Sequence, residues 1–306
     1  MSQPVTAAVL RRLALDEDLK TLVMANERLY QPLLRAALRY IGGETLDACL
    51  IVAEDTNGRG HAVTVDFMGE STRTPEASTA ATEEFIRVAD AIRVGRYDAS
   101  LSLDLSHVGL LLDADACFEN ALAIANAAAR AGTEMIISAE GADRTDQVLA
   151  MHARLCERAH NVGITLQAYL YRSADDLDAI IGRPGKIRVV KGAFDADPAL
   201  VMARGPELDS AFLVLVKKLD RARRPFSVAT HDRMLIERVK SHMDEGAGEF
   251  EMLHGVEPEQ LDSLQSHGYR TREYLPYGTQ WFLYLCNRIA ESPPTLFDAI
   301  ANAFGD

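Results

Sequence analysis

Two regimes of hydrophobic patterning divide the chain. Over the first 55 residues, apolar positions recur at three- and four-residue steps, as at Leu10 and Leu13 and again at Leu33, Leu34, Ala37 and Leu38, with charges between them. That spacing predicts helices only. Thr56-Asn-Gly-Arg-Gly60 then reads as a turn. Beyond it, short β-type runs begin near His61, Asp98, Thr133, Val162, Lys186, Pro225, Gly248 and Thr271. Helix-like segments separate them, among them Pro75 to Arg93, Ala116 to Ala131, Thr145 to His160 and Asp232 to His242. Strands alternating with helices predict βα units and a parallel sheet. Eight such units in roughly 250 residues suit a closed (β/α)8 barrel of α/β class better than an open doubly wound sheet. The expected organisation is a helical arm over 1–55 and a TIM-type barrel over 56–306.

A barrel of this kind carries its chemistry at the C-terminal ends of the strands. Those ends read Asp66 and Glu70, Asp104 and Ser106, Ser138 and Glu140, then Gln167. Arg188 and Lys191, Thr230 and His231, His254 and Tyr274 continue the series. Any one of them is equally well explained as a solvated strand end or a helix cap. Together they indicate a polar mouth without naming a reaction.

Composition narrows the classes. The chain has 306 residues, 48% of them hydrophobic and 25% charged, which allows a large core and argues against disorder. A formal charge of −13 disfavours nucleic acid and anionic membrane surfaces as partners, since both would repel it. Cys49, Cys117, Cys156 and Cys286 are scattered and form no C-x-x-C pair, so buried free thiols in a reducing cytoplasm are expected rather than disulfides or a metal ribbon. There is no signal-type apolar region and no apolar run of about 18 residues, so no membrane span is expected. No G-x-G-x-x-G or G-x-x-x-x-G-K-[ST] occurs, and Gly182-Arg-Pro-Gly185-Lys186 is a turn before a strand rather than a phosphate loop.

On the last predicted helix, Tyr284, Asn287, Arg288 and Glu291 fall at i, i+3, i+4 and i+7 and share one face. This helix resembles the Y-x-x-R-R-x-x-E helix of the proline dehydrogenase family. Val65-Asp66-Phe-Met-Gly69-Glu70 resembles the family's D-x-L-G-E strand, and Leu166-Gln167-Ala168-Tyr169 its L-Q-A-Y strand. Arg188-Val-Val-Lys191-Gly192-Ala193-Phe194 resembles R-L-V-K-G-A-Y, Ala229-Thr230-His231-Asp232 resembles A-T-H-N, and Phe250-Glu-Met-Leu253-His254-Gly255 resembles F-Q-x-L-H-G. The resemblance runs from about residue 61 to 291 in unbroken order, and the helical arm suits a monofunctional member.

The resemblance implies FAD across the barrel mouth. Gln167, Arg188, Val190, Lys191, Gly192, Ala193, Thr230, His231, Leu253 and Glu291 match positions that contact it. Gly192 and Ala193 would allow close backbone approach, and Arg188 and Lys191 would offer charge. The alternative for these two cations is an ion pair with Glu140 or Glu249. The resemblance also implies a substrate pocket built from Glu70, Asp104, Ser138, Phe194, Tyr274, Tyr284, Asn287 and Arg288.

In that pocket the chain departs from the family pattern. Where the family has the lysine of S-x-K-x-S, this chain has Asp104, in Ser102-Leu-Asp104-Leu-Ser106. Asn287 replaces the first arginine of the helix, and Ser138 replaces the acidic residue of I-D-A-E. Three positive charges around a substrate carboxylate become a formal charge of about zero, with Arg288 remaining. An aspartate there repels a carboxylate and welcomes a cation. Glu70 matches a gate carboxylate whose arginine partner is now Asn287.

The expected activity is oxidation of a proline-like amino acid or related amine to an imine by hydride transfer to flavin, with electrons passed to a quinone or to oxygen. Two other readings stay open at this stage. One is a metal-dependent barrel hydrolase or aldolase using Asp66, Asp104, Glu140, His231 and His254; the other is a flavin binder without turnover.

Overall fold

The computed structural model describes residues 17–243 and 248–291. Eight parallel strands close into a barrel in chain order: β1 (Ala62–Phe67), β2 (Ala99–Leu103), β3 (Met135–Ile137), β4 (Val162–Gln167), β5 (Ile187–Val190), β6 (Phe226–Ala229), β7 (Glu249–Leu253) and β8 (Arg270–Tyr277). Among the described residues three helices precede them, α1 (Glu17–Ala25), α2 (Glu27–Ala37) and α3 (Leu46–Gly58). One long helix follows each strand: α4 (Pro75–Gly95), α5 (Ala114–Arg130), α6 (Thr145–Cys156), α7 (Ser173–Ile180), α8 (Pro206–Arg221), α9 (Arg233–Lys240), α10 (Pro258–Ser266) and α11 (Trp281–Glu291). The (β/α)8 expectation is met in order and number.

Local chemistry sets the helix starts. The Thr74 hydroxyl accepts the Ala77 N–H at 3.2 Å with Pro75 in the first turn, where its missing N–H costs nothing. Asp113 caps α5 by accepting the N–H groups of Asp115 and Ala116, and those bonds hold its carboxyl below the usual range.

The turn expected at Thr56–Gly60 is shorter. Helix α3 runs through Thr56 and Asn57, so the expected boundary at 55/56 falls inside it. Thr56 is fully buried, and the Asn57 side-chain amide donates to the carbonyls of His61 and Asp98 while its oxygen accepts the Asp98 N–H. Asn57 thus ties the helix end to β1 and β2, a long-range use that local turn propensity does not register.

The arm helices and α11 share a satellite core of Val23, Ala36, Ala37, Tyr40, Ile41, Trp281, Phe282, Leu285 and Ile289. Trp281 is fully buried, lies 5.5 Å from Tyr30 ring to ring, and donates its indole N–H to Glu44 at 2.9 Å. Gly255, after β7, has φ +72°, and a Cβ there would lie 1.8 Å from the Arg39 carbonyl oxygen, so only glycine lets the arm close on the barrel. Leu10 and Leu13 lie outside the described residues.

Side chains alternate along each strand, and in this barrel the inward set is polar. Arg272 on β8 donates to Glu249 at 2.9 Å, and Glu249 also accepts from Lys186 and Ser227. Burial would raise the Glu249 carboxyl, but Arg272 and Lys186 outweigh it and hold it far below the usual range. One tier nearer the mouth, Arg188 pairs with Glu251, which also accepts the Thr64 hydroxyl. Barrel interiors of this class are commonly packed with branched aliphatics. Here ion pairs fill the same space.

Candidate functional site

The same alternation carried two residues further builds the site. Asp66 follows Thr64, Asp104 follows Ser102, and Tyr274 follows Arg272, each at a spacing of two on the inward face. These three, with Ser138, line a cleft of about 980 Å³ at the strand ends, a volume suited to a cofactor and a small substrate.

The cleft gathers most of the residues expected from sequence. Asp104, Ser138, Phe194, Tyr274 and Arg288 of the substrate set line it. So do Gln167, Arg188, Val190, Lys191, Gly192, Ala193, Thr230, His231 and Leu253 of the cofactor set.

Three expected residues that are described do not line it. Glu70 is exposed on the loop after β1, within Coulombic reach of Asp104 and Arg144. Tyr284 is half-buried against the arm's satellite core, with the Arg288 guanidinium 5.2 Å from its ring centre. Asn287 is half-buried beside Arg288 without reaching the cleft lining. The side chain of Glu291 lies outside the described part of the chain. The shared helical face at Tyr284, Asn287 and Arg288 is therefore divided: packing onto the arm takes Tyr284, and only Arg288 reaches the cleft.

The two expected cations are already paired. The Arg188 Nε and Nη2 each lie 2.8 Å from a Glu251 oxygen, and Nη1 donates to Ser102 at 3.0 Å. Its partner is neither Glu140 nor Glu249. Glu140 instead accepts from Arg144 at 2.8 Å and from the Ser106 N–H at 2.9 Å. Lys191 lies 2.7 Å from Asp209 and 2.6 Å from Asp232. Gly192 has φ +104°, and a Cβ there would sit 2.2 Å from the Tyr169 ring, so packing against Tyr169 already requires this glycine.

One end of the cleft is acidic. Asp66 accepts the Tyr274 hydroxyl; burial raises its carboxyl to about 6, with Tyr274 and Arg188 pulling the other way. Burial also raises the Asp104 carboxyl well above its usual range, helped by the charges of Asp66, Glu140 and Glu70 and opposed by a hydrogen bond to Ser138. The Tyr274 phenol is held well above its usual range by burial and by Asp66. Five carboxylates and four cations line the cleft as a whole.

The other walls carry unpaired hydrogen-bonding atoms. The His231 Nε2 accepts the Leu253 N–H at 3.2 Å, which puts the ring proton on Nδ1, and Nδ1 has no partner among the described residues. Burial, aided by the Arg288 charge, lowers His231 to about 4 and keeps it neutral. Gln167 is only 5% exposed; its amide donates to the Glu140 carbonyl at 2.8 Å, and its oxygen is unpartnered. A neutral donor and a buried acceptor on two residues that line one cleft fit the hydrogen-bonding edge of a heterocycle such as a flavin. Helix α8, with no side-chain cap at Gly205, opens on the same cleft beside Arg204 and Lys191, a setting that suits phosphate oxygens.

Sequence reasoning placed Asp66 at the mouth but left it out of the pocket, and it missed Glu251, Arg204, Asp209 and Asp232 as cleft residues. The alternation Glu249-Phe250-Glu251 was the available signal for Glu251, because both glutamates must face inward. The other three come from loops and helix starts, where no period fixes direction. Of the alternative metal set, His254 pairs with Glu273 at 2.7 Å and Glu140 pairs with Arg144, which leaves Asp66, Asp104 and His231 in the cleft.

The family described as proline dehydrogenase matches residues 49–292. Proline dehydrogenase 1 of Bacillus subtilis subsp. natto is 31% identical over 262 residues, 84% of this chain and 87% of that protein. Proline dehydrogenase of Deinococcus radiodurans is 30% identical over 273 residues, 86% of this chain and 88% of that one. Among solved structures, proline utilization A from Bdellovibrio bacteriovorus, inactivated by N-propargylglycine, is similar in fold, with a TM-score of 0.79 at 18% identity over 98% of this chain. This chain spans 39% of that larger protein. Among the described residues, no helix is long and apolar enough to cross a membrane, and all four cysteines are buried free thiols.

Proposed function

The chain belongs to the proline dehydrogenase family, and from that membership we propose that it is a flavin-dependent oxidoreductase acting on the CH–NH group of proline or a proline-like amine. FAD is the proposed flavin. When bound, it supplies the electron-accepting ring, the part of the chemistry that side chains do not offer. The chain's own residues bind, orient and shield. The His231 Nδ1–H and the Gln167 oxygen present one donor and one acceptor to the ring's polar edge, and Leu253 and Val190 supply apolar wall. Arg204 and the start of α8 meet the anionic part. Tyr274, Asp66, Asp104 and Ser138 surround the amine, and Arg288 is the α11 cation at the cleft that a carboxylate would meet.

One observation carries the reading: His231 and Gln167, each with one buried polar atom unpartnered among the described residues, line the same cleft that collects the family's motif residues. Orphaned buried polar atoms are costly unless a ligand satisfies them. Purified protein is expected to absorb near about 450 nm, the usual flavin band. That band should bleach when a proline-like amine is added without oxygen. Stoichiometric zinc and no flavin would point instead to the hydrolase reading. The electron acceptor is proposed to be a quinone or oxygen, and the location cytoplasmic.

A further inference from the structure

We propose that the acidic end of the cleft selects compact amines of net positive charge over amino acids with a free carboxylate, Asp66 and Asp104 together receiving the cationic group. This deepens the proposed function and rests on it for the identity of the cleft. That the cleft takes a ligand does not depend on these two carboxylates, because Gln167 and His231 also line it, each with a buried polar atom unpartnered among the described residues.

Three structural facts point to the cation. Asp66 and Asp104 line the cleft within Coulombic reach of one another, and each has one neutral hydrogen-bond partner, Tyr274 and Ser138 respectively. The buried cation whose charge reaches Asp66, Arg188, is paired with Glu251 through two 2.8 Å contacts, so most of its charge is already balanced. Arg288 is the cation from α11 that reaches the cleft, and its guanidinium lies over the Tyr284 ring at 5.2 Å. A carboxylate entering this end meets one arginine and two acidic groups whose ionisation it opposes, whereas an ammonium meets two oxygen acceptors and favours their ionised form.

L-proline and L-prolinamide test this as a pair. They share a ring and nearly a shape and differ by one negative charge. Calorimetry on the holoenzyme at neutral pH should give a dissociation constant at least about tenfold lower for L-prolinamide, the usual scale of one charge-assisted contact. Asp104→Asn should bring the two constants within about threefold of each other. Asp66→Asn is the second variant, read the same way, and a thermal melt of each verifies folding. Tighter binding of L-proline overturns the inference. So does a ratio that neither variant changes, or failure of both compounds to bind. Flavin bleaching is read separately: tight L-prolinamide binding without reduction would sink the oxidoreductase reading and leave the charge preference standing.

Discussion

Arg188 on β5 reaches past β6 to Glu251 on β7 and meets its carboxylate through Nε and Nη2, both at 2.8 Å. The pair lies inside the barrel where both residues line the cleft, with Arg188 and Glu251 only 4% and 2% exposed in their side chains. It does two things. It replaces aliphatic filling in a tier of the barrel, and it removes from the cleft a charge that the sequence had assigned to the cofactor.

Breaking such a pair from one side leaves a buried charge alone, which costs roughly 3–5 kcal/mol. Glu251→Gln is therefore expected to lower stability by about that amount in urea unfolding. Changing both residues to methionine should cost less than either single change, because no charge is stranded. A Glu251→Gln protein within about 1 kcal/mol of the parent would mean that Arg188 finds another partner.

The barrel was legible because strand and helix periods differ and eight alternations leave few topologies. The helix boundary at Thr56–Asn57 was not, because Asn57 acts through backbone atoms of β1 and β2 rather than through its neighbours. At the site, the motif residues reached one cleft because strand parity fixes direction. What parity cannot show is which charges are already spent. Lys191 looks available in sequence and is held by Asp209 and Asp232 from two helix starts. Tyr284 looks like a pocket residue by helical spacing, and packing against the arm claims it.

Asp66 gives a pH signature. Its carboxyl is raised from 3.8 to about 6, chiefly by burial, so the folded state binds more protons than the unfolded state between those values. Stability from this group is therefore greatest at low pH and falls as pH rises from about 4 through about 6. Asp66→Asn should stabilise the protein above pH 7, by at most roughly 3 kcal/mol from about two pKa units. The gain should vanish at about pH 4. Urea midpoints measured at both pH values decide it, and an equal change at the two would exclude titration of Asp66 as the cause.

His231 should govern flavin retention. His231→Phe keeps the ring's bulk and removes the Nδ1–H donor, and it also strips the Leu253 N–H of its acceptor. The flavin dissociation constant should rise about tenfold or more, as expected for losing one or two buried hydrogen bonds. Because burial and Arg288 hold His231 at about 4, retention by the parent should show no histidine-linked step between pH 6 and pH 8. Equal flavin occupancy in parent and variant would remove His231 from the cofactor set.

The last expectation separates two substitutions that the sequence treats alike. Asp104 and Asn287 both stand where the family pattern has a cation, yet Asp104 lines the cleft and Asn287 does not. Asp104→Lys places a positive charge beside Ser138 and removes a group that repels carboxylates, so the L-proline dissociation constant should fall by about tenfold or more. The new ammonium also lies within Coulombic reach of Asp66, which absorbs part of its charge and keeps the gain below that of an unpaired lysine. Asn287→Arg puts its charge on α11 next to Arg288, at a half-buried position outside the cleft lining, and should change the constant by less than about threefold, since solvent and salt screen a charge that does not reach the ligand. Calorimetry with L-proline on the two single variants reads the difference. If Asn287→Arg proves the stronger of the two, α11 must turn its 287 side chain into the cleft when ligand binds, and the division of that helix face between arm and cleft would be wrong.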